Sequence, residues 1–267
     1  MKLTTHHVEK PWGRTKLQPV FGNTQGNRIG EIWFECASGE QLPLLTKYIF
    51  TSEKLSIQVH PNDEQARERG LPSGKSECWY ILDADPGATL GLGLTQSLSA
   101  AELRQAAIDG SIEKMIDWRP VAAGEFYFVA AGTIHAVGAG ISLLEFQQNA
   151  DVTYRLYDYG RPRELHLDDA IAVACRAAYP EGCARQAGGP IDTVLINGPI
   201  FSLVRASRDE AIAASLSARR RWVMPLEGCV TAGDERASAG ECLMVEPGAP
   251  LDFAPGAVAL VGAEGPI

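Results

Sequence analysis

Five histidines, at positions 6, 7, 60, 135 and 166, are the chain's whole supply of imidazole, so a histidine-based metal or acid–base site must draw on them. His60 is distinguished by its neighbours. In Lys54-Leu55-Ser56-Ile57-Gln58-Val59-His60 polar and apolar residues alternate, which predicts a strand with Leu55, Ile57 and Val59 on one face and Ser56, Gln58 and His60 on the other. Residues two apart on a strand can reach one ion, so Gln58 and His60 are candidate partners at a metal. His135 follows Gly132-Thr133-Ile134 just after a β-run, where a turn can present its imidazole. His6 and His7 stand beside Lys2 and Lys10 near the start of the chain, where a mobile, solvated segment is expected. His166, between Leu165 and Leu167 at a helix entrance, reads as a packing or hydrogen-bonding group.

The spacing Gly124, five residues, Ala130-Ala131-Gly132, two residues, His135 resembles the second sequence motif of the cupins, small β-barrels that hold a metal in their mouth. The cupin pattern has Pro where Ala130 stands and an Asn after the histidine that is absent here. Gln58-Val59-His60 stands in for the H-x-H of the first cupin motif, with Glu77 as the nearest suitable glutamate. Two imidazoles, one carboxylate and one amide oxygen suit a hard-to-borderline divalent ion such as Zn²⁺, with room for a substrate oxygen. The six cysteines form no CxxC pair and read as reduced thiols of a cytoplasmic protein.

The elements that must position these groups are mostly strands. Runs at 30–35, 44–50, 54–60, 77–82, 125–129, 141–147 and 153–157 carry β-branched and aromatic residues between Gly and Pro breaks. Asn62 or Asp63 can cap a short helix running to Arg69. Ser99-Ala100-Ala101-Glu102 has capping-box form and predicts a helix to Trp118 with a break near Gly110. A further helix is predicted from Leu167 to Ala178. The expectation is a mainly β chain of two cupin-type barrel or jelly-roll units with a few short helices. Residues 1–165 would form a metal-binding domain with a helical insertion at about 98–118. Residues 166–190 would be helix and linker, and 191–267 a smaller β domain without metal.

Composition limits the partners. Lys and Arg number 24 against 33 Asp and Glu, for a net charge of −9 spread along the chain. This diffuse acidity argues against a nucleic-acid partner, which needs a basic footprint, but leaves room for a small anionic substrate held by two or three local cations. No stretch approaches the ~20 apolar residues of a membrane span, and the start has no apolar core of a secretory signal. No protein partner is predicted.

Longer segments carry a more specific resemblance. Leu55–Asp63, Gly74-Lys75-Ser76-Glu77-Cys78-Trp79-Tyr80, Gly132-Thr133-Ile134-His135-Ala136 and Leu144–Tyr159 resemble the type I mannose-6-phosphate isomerase family. So do Pro11-Trp12-Gly13, Gly30-Glu31-Ile32-Trp33 and Arg163–Asp168. The resemblance implies one zinc ion per chain, held by Gln58, His60, Glu77 and His135, and aldose–ketose isomerisation of a sugar phosphate through an enediol. It matches Arg155 to the family's essential arginine and Lys75 to the lysine two residues before the metal-binding glutamate. Arg155 suits a phosphate or developing enediolate, unless it is tied up by Asp151 or Asp158. Lys75 could hold phosphate or transfer a proton. Glu145, Lys75 and Asp151 are the candidate proton carriers near the site, with Asp151 also a candidate substrate contact. Glu145 shares a strand face with Ile141, Leu143 and Gln147, and reads equally as a buried structural carboxylate. Two other readings stand beside this one: an isomerase of another sugar phosphate, and a sugar-binding cupin without turnover.

Overall fold

The computed structural model describes residues 1–186 and 188–267. Strand accounts for 42% of it and helix for 13%, which makes the chain mainly β. The first part contains β1 (Thr4–Arg14), β2 (Ile29–Glu35), β3 (Leu44–Phe50), β4 (Ile57–Val59), α1 (Asp63–Glu68), β5 (Glu77–Ala84) and β6 (Thr89–Leu94). These are followed by α2 (Ala100–Asp109), α3 (Ile112–Met115), β7 (Ile116–Pro120), β8 (Phe126–Val129), β9 (His135–Val137), β10 (Ile141–Gln148), β11 (Tyr154–Tyr157), α4 (Leu167–Val173) and β12 (Ala184–Arg185). The second part contains β13 (Thr193–Asn197), β14 (Phe201–Ala206), α5 (Ala214–Ser217), β15 (Arg221–Glu227), β16 (Cys229–Ala232), β17 (Glu235–Ser238), β18 (Leu243–Val245), β19 (Asp252–Phe253) and β20 (Val258–Glu264).

A seven-stranded sheet, ordered β1-β2-β3-β10-β5-β8-β12, faces a five-stranded one, β11-β4-β9-β6-β7. A second pair, β13-β14-β20-β15-β18 and β17-β16-β19, follows the same plan. The sheets are not closed on themselves, so the architecture is the double-sheet jelly roll expected of a cupin.

The seven-stranded sheet is the centre of the stack. Every residue of β10 is buried. Its Ile141 and Leu143 pack with Trp79, Ile81, Leu90 and Leu92 between the first two sheets. Its Leu144 and Phe146 face the other way, into a core shared with Phe201, Trp222 and Leu260 of the second part. Phe146 meets Phe201 at 5.3 Å and Trp222 at 6.1 Å between ring centroids, both edge-on. A sheet covered on both faces reads as a nearly continuous apolar run, and any charge on its strands must face a cavity or a partner.

Local signals settle the helix starts. Asn62 accepts from Gln65 N and Gln65 answers to Asn62 N, a complete capping box at α1. Ser99 and Glu102 do the same at α2, which ends where Gly110 takes a left-handed φ of 79°. The predicted continuation to Trp118 is corrected: Ile116–Pro120 is strand β7, paired with β6. Gly91 explains the fit, because a Cβ there would lie 2.6 Å from Ile116 and 3.2 Å from Trp118. The predicted helix to Ala178 stops at Val173, and the segment beyond is held extended by Cys175 N to Gly132 O (2.7 Å) and Leu94 N to Ala177 O (3.0 Å). In the Gly/Pro-rich stretch up to 190, where residue 187 lies outside the described residues, Ala184–Arg185 adds an edge strand to β8. Strand β4 is shorter than its alternation suggested. Leu55 precedes it and packs with the core between the sheets, away from Ile57 and Val59, which face the helices.

Phe146 is fully buried at the junction of the two parts. Phe146→Ala is expected to cost ~3–5 kcal/mol, the usual penalty for emptying a large aromatic site, read as a lower urea midpoint at an unchanged m-value.

Candidate active site

Strand register brings the candidate ligands together. His60 follows β4, and its carbonyl accepts from Gly132 N at 2.8 Å. Gly132, with φ 88°, turns the chain back so that β9 opens with His135 directly opposite Gln58. Glu77 opens β5 on the facing sheet. His60, Glu77 and His135 are each 1% exposed, and one donor atom from each lies within 4.8 Å of the others. Glu77 Oε2 is 3.4 Å from His60 Nε2, and Glu77 Oε1 is 3.4 Å from His135 Nε2. Gln58 Nε2 is 3.3 Å from His135 Nε2.

These donors fit a divalent ion. Both ring nitrogens of His60 and Glu77 Oε2 are buried without a hydrogen-bond partner, a state native interiors seldom tolerate without an ion or water. Burial, reinforced by the Lys75 ammonium, drives the His60 pKa well below the ordinary imidazole value. Burial likewise brings His135 down to about 4. Both rings are therefore neutral near pH 7, the state that ligates. Thr133 O accepts from His135 Nδ1 at 2.9 Å, which leaves the Nε2 lone pair turned toward Glu77. The oxygen- and nitrogen-rich, cysteine-free set suits zinc.

Beside this cluster lies a cavity of about 290 Å³. Gln58, Lys75, Glu77, Glu145, Asp151 and Arg155 all line it, so every sequence-derived candidate other than the two buried histidines reaches one space. Lys75 Nζ stands 3.3 Å from Glu77 Oε2. Its loop is pinned by Asp63, whose Oδ1 accepts from Gly74 N and Gln148 Nε2, while Gln148 Oε1 accepts from Ser76 N. Gly74 is required there, since a Cβ would lie 2.5 Å from the Asn62 carbonyl carbon.

Arg155 sits on β11 opposite Gln58. Among the described residues it has no carboxylate within 4.0 Å, and its Nε is buried without a partner. The ion pairing with Asp151 or Asp158 that the sequence allowed is absent, because Asp158 is taken by Arg161 at 2.6 Å and Arg163 at 2.5 Å. His166 holds the Arg155 backbone from both sides: its Nδ1 accepts from Arg155 N (3.2 Å) and its own N donates to Arg155 O (2.9 Å).

Glu145 Oε2 accepts from Trp79 Nε1 at 3.0 Å, and Oε1 pairs with Lys47 Nζ at 3.0 Å. Burial and the nearby Glu77 charge push its pKa up. Lys47 and Glu31, which line the same cavity, escaped the sequence reading. Lys47 reaches Glu31 at 3.6 Å, and Lys10 reaches it at 3.5 Å. The signal was available: a lysine inside Leu44-Leu45-Thr46-Lys47-Tyr48-Ile49-Phe50, buried throughout, demands a partner. His6, expected to be mobile and solvated, belongs to the eleven-residue strand β1 and lines the rim of the cavity. His7 stands on the opposite face of the strand, 6.4 Å from Phe21 between ring centroids.

Residues 5–99 match the family model of the phosphomannose isomerase type I catalytic domain, a span that holds Gln58, His60, Lys75 and Glu77. A mannose-6-phosphate isomerase of Streptococcus mutans is 37% identical over 279 aligned positions, 88% of this chain and 87% of that protein. The chain belongs to the type I mannose-6-phosphate isomerase family. The crystal structure of the mannose 6-phosphate isomerase from Bacillus subtilis aligns over 98% of both chains with a TM-score of 0.74 at 26% identity. A zinc-bound mannose 6-phosphate isomerase shares the fold with a TM-score of 0.65 over 100% of this chain and 99% of its own, at 14% identity. Membership in this isomerase family and the double-sheet fold thus agree with the expectations drawn from the motifs.

Glu31 offers a test of the charge network. Burial would raise its pKa, but Lys47 and Lys10 outweigh burial and hold it down to about 2, from an ordinary 4.5. A depressed folded-state pKa means that Glu31 stabilises the fold fully above about pH 4.5, and that this contribution fades as pH falls toward 2. Glu31→Gln should therefore melt below wild type at pH 6, with the difference shrinking between pH 4.5 and 2 in thermal scans.

Proposed function

We propose that this chain is a zinc-dependent aldose–ketose isomerase interconverting mannose 6-phosphate and fructose 6-phosphate by proton transfer through an enediol. The observation that carries the reading is the unpaired Arg155 facing the same cavity as the buried His60–Glu77–His135 cluster. The six free thiols support a cytoplasmic setting.

One zinc ion per chain, held by Gln58, His60, Glu77 and His135, would supply a Lewis-acidic centre for the sugar oxygens. Arg155 presents a planar guanidinium with free donors, suited to bidentate capture of phosphate or of a developing enediolate. Lys75, already beside Glu77, offers the remaining ammonium donors to the substrate. Glu145 carries the proton between adjacent carbons. Trp79 and Lys47 each occupy one of its oxygens, which leaves further lone pairs free, and its raised pKa brings a carboxylate toward the range useful for general acid–base work. Asp151, at the cavity wall, contacts substrate hydroxyls.

A coupled assay on mannose 6-phosphate, with protein stripped by chelator and reloaded with Zn²⁺, tests this directly. Turnover restored by zinc and abolished in His135→Ala is the expected result. One bound equivalent of zinc without turnover on mannose 6-phosphate would overturn the substrate assignment. A panel of other sugar phosphates would then separate a different isomerase from a binding protein.

Arg155→Lys keeps the charge but loses the fork. With charge-assisted hydrogen bonds contributing about 1.5–3 kcal/mol, kcat/KM should fall ~10–100-fold while zinc content stays at the wild-type level.

A further inference from the structure

Ser56 sits two residues before Gln58, is 2% exposed, and lines the same cavity. Its hydroxyl donates to Gln58 Oε1 at 3.0 Å, while Gln58 Nε2 faces His135 Nε2 at 3.3 Å. The proton inventory fixes this arrangement. A carbonyl can only accept, so the contact with Thr133 O puts the His135 proton on Nδ1, and Nε2 is an acceptor. The Gln58 amide must then offer its N–H side to His135 and its oxygen to Ser56. In this state the oxygen of Gln58 points away from the His60–Glu77–His135 cluster.

We infer that Ser56 is a positioning residue for Gln58, a two-way hydrogen-bond partner that satisfies the amide in both of its orientations. The inference rests on the zinc reading given above. When His135 Nε2 is engaged by zinc it no longer accepts, and the Gln58 amide turns over. Oε1 then faces the cluster as a ligand, and Nε2–H faces Ser56 Oγ. A hydroxyl is the group that can follow this exchange, because it donates or accepts by rotating its own proton. An alanine at this position would fail in both orientations, a carboxylate when it faces Oε1, and an ammonium when it faces Nε2–H. The hydrogen bond from Nε2–H is the stronger of the two, since a cation on Oε1 withdraws charge from the amide, and charge-assisted bonds outweigh neutral ones. Ser56 therefore favours the zinc-bound orientation.

The test is Zn²⁺ affinity of the whole chain by chelator competition, for wild type, Ser56→Ala, Gln58→Ala and the double variant, with thermal melts of the metal-free proteins as a folding control. Loss of a partner behind a ligand typically weakens metal binding 10–100-fold; for this neutral hydroxyl a loss of ~10-fold is expected in Ser56→Ala. No further loss is expected when the change is made on Gln58→Ala, because Ser56 acts only through Gln58. Wild-type affinity in Ser56→Ala overturns the inference, as does an equal loss in the Gln58→Ala background. A drop in kcat/KM at saturating zinc with unchanged affinity also overturns it, and makes Ser56 a substrate contact instead. If wild type itself binds no zinc, the zinc reading fails, and the two failures are thereby distinguishable.

Discussion

A charge taken out of water into the middle of a β-sandwich is tolerated only in the company of an opposite charge, and that constraint organises this molecule. The inner face of the seven-stranded sheet carries Lys10, Glu31, Lys47, Glu145 and Glu77, with Lys75 on the adjoining loop. Each ammonium stands between 3.0 and 3.6 Å from a carboxylate. The sequence of signs across neighbouring strands is a consequence of register: Glu145 lies opposite Lys47 on one side and Trp79 on the other. A slip by one residue would turn these charges into the apolar core on the far side, where Tyr48, Phe146 and Trp222 leave them no partner.

The same network sets the electrostatics of the cavity. Lys47 and Trp79 hold Glu145 in one position, while burial and the nearby Glu77 charge raise its pKa. Burial, with Lys75 close by, keeps His60 and His135 neutral. Arg155 is left without a carboxylate because Arg161 and Arg163 satisfy Asp158. Buried polar atoms without a partner on His60 and Arg155 therefore stand in and beside the cavity, next to the paired charges of Lys47, Glu31 and Glu145 that line it. Glu31, itself part of the cavity wall, is tied to Glu145 through the ammonium of Lys47.

The second jelly roll contributes through packing. Phe201 and Trp222 close over Phe146 and seal the outer face of the central sheet. On its other face Lys47 of β3, Glu77 of β5 and Glu145 of β10 line the cavity.

Much of the site was legible in the chain itself. The alternation around Gln58 and His60 and the glycine turn before His135 marked candidate ligands that the structure brings together, because period-two patterning and left-handed turns are local properties of sequence, whereas Arg155 stood out through the family resemblance of the run from Leu144 to Tyr159. The caps at Asn62 and Ser99 were legible for the same reason. What failed was non-local. Ile116–Pro120 became a strand because Gly91 offers room on a neighbour some 25 residues earlier, and the segment after Val173 is extended because Gly132 and Leu94 need its backbone. The first residues became an edge strand because β2 supplied hydrogen bonds. Lys47 and Glu31 stayed hidden because a charge within a strand reveals nothing of its partner on another strand. The sequence by itself determined which residues could bind a metal and turn the chain. Only the tertiary structure decided which charges are paired and which are left free, since pairing is settled by sheet register and packing between residues far apart in the chain.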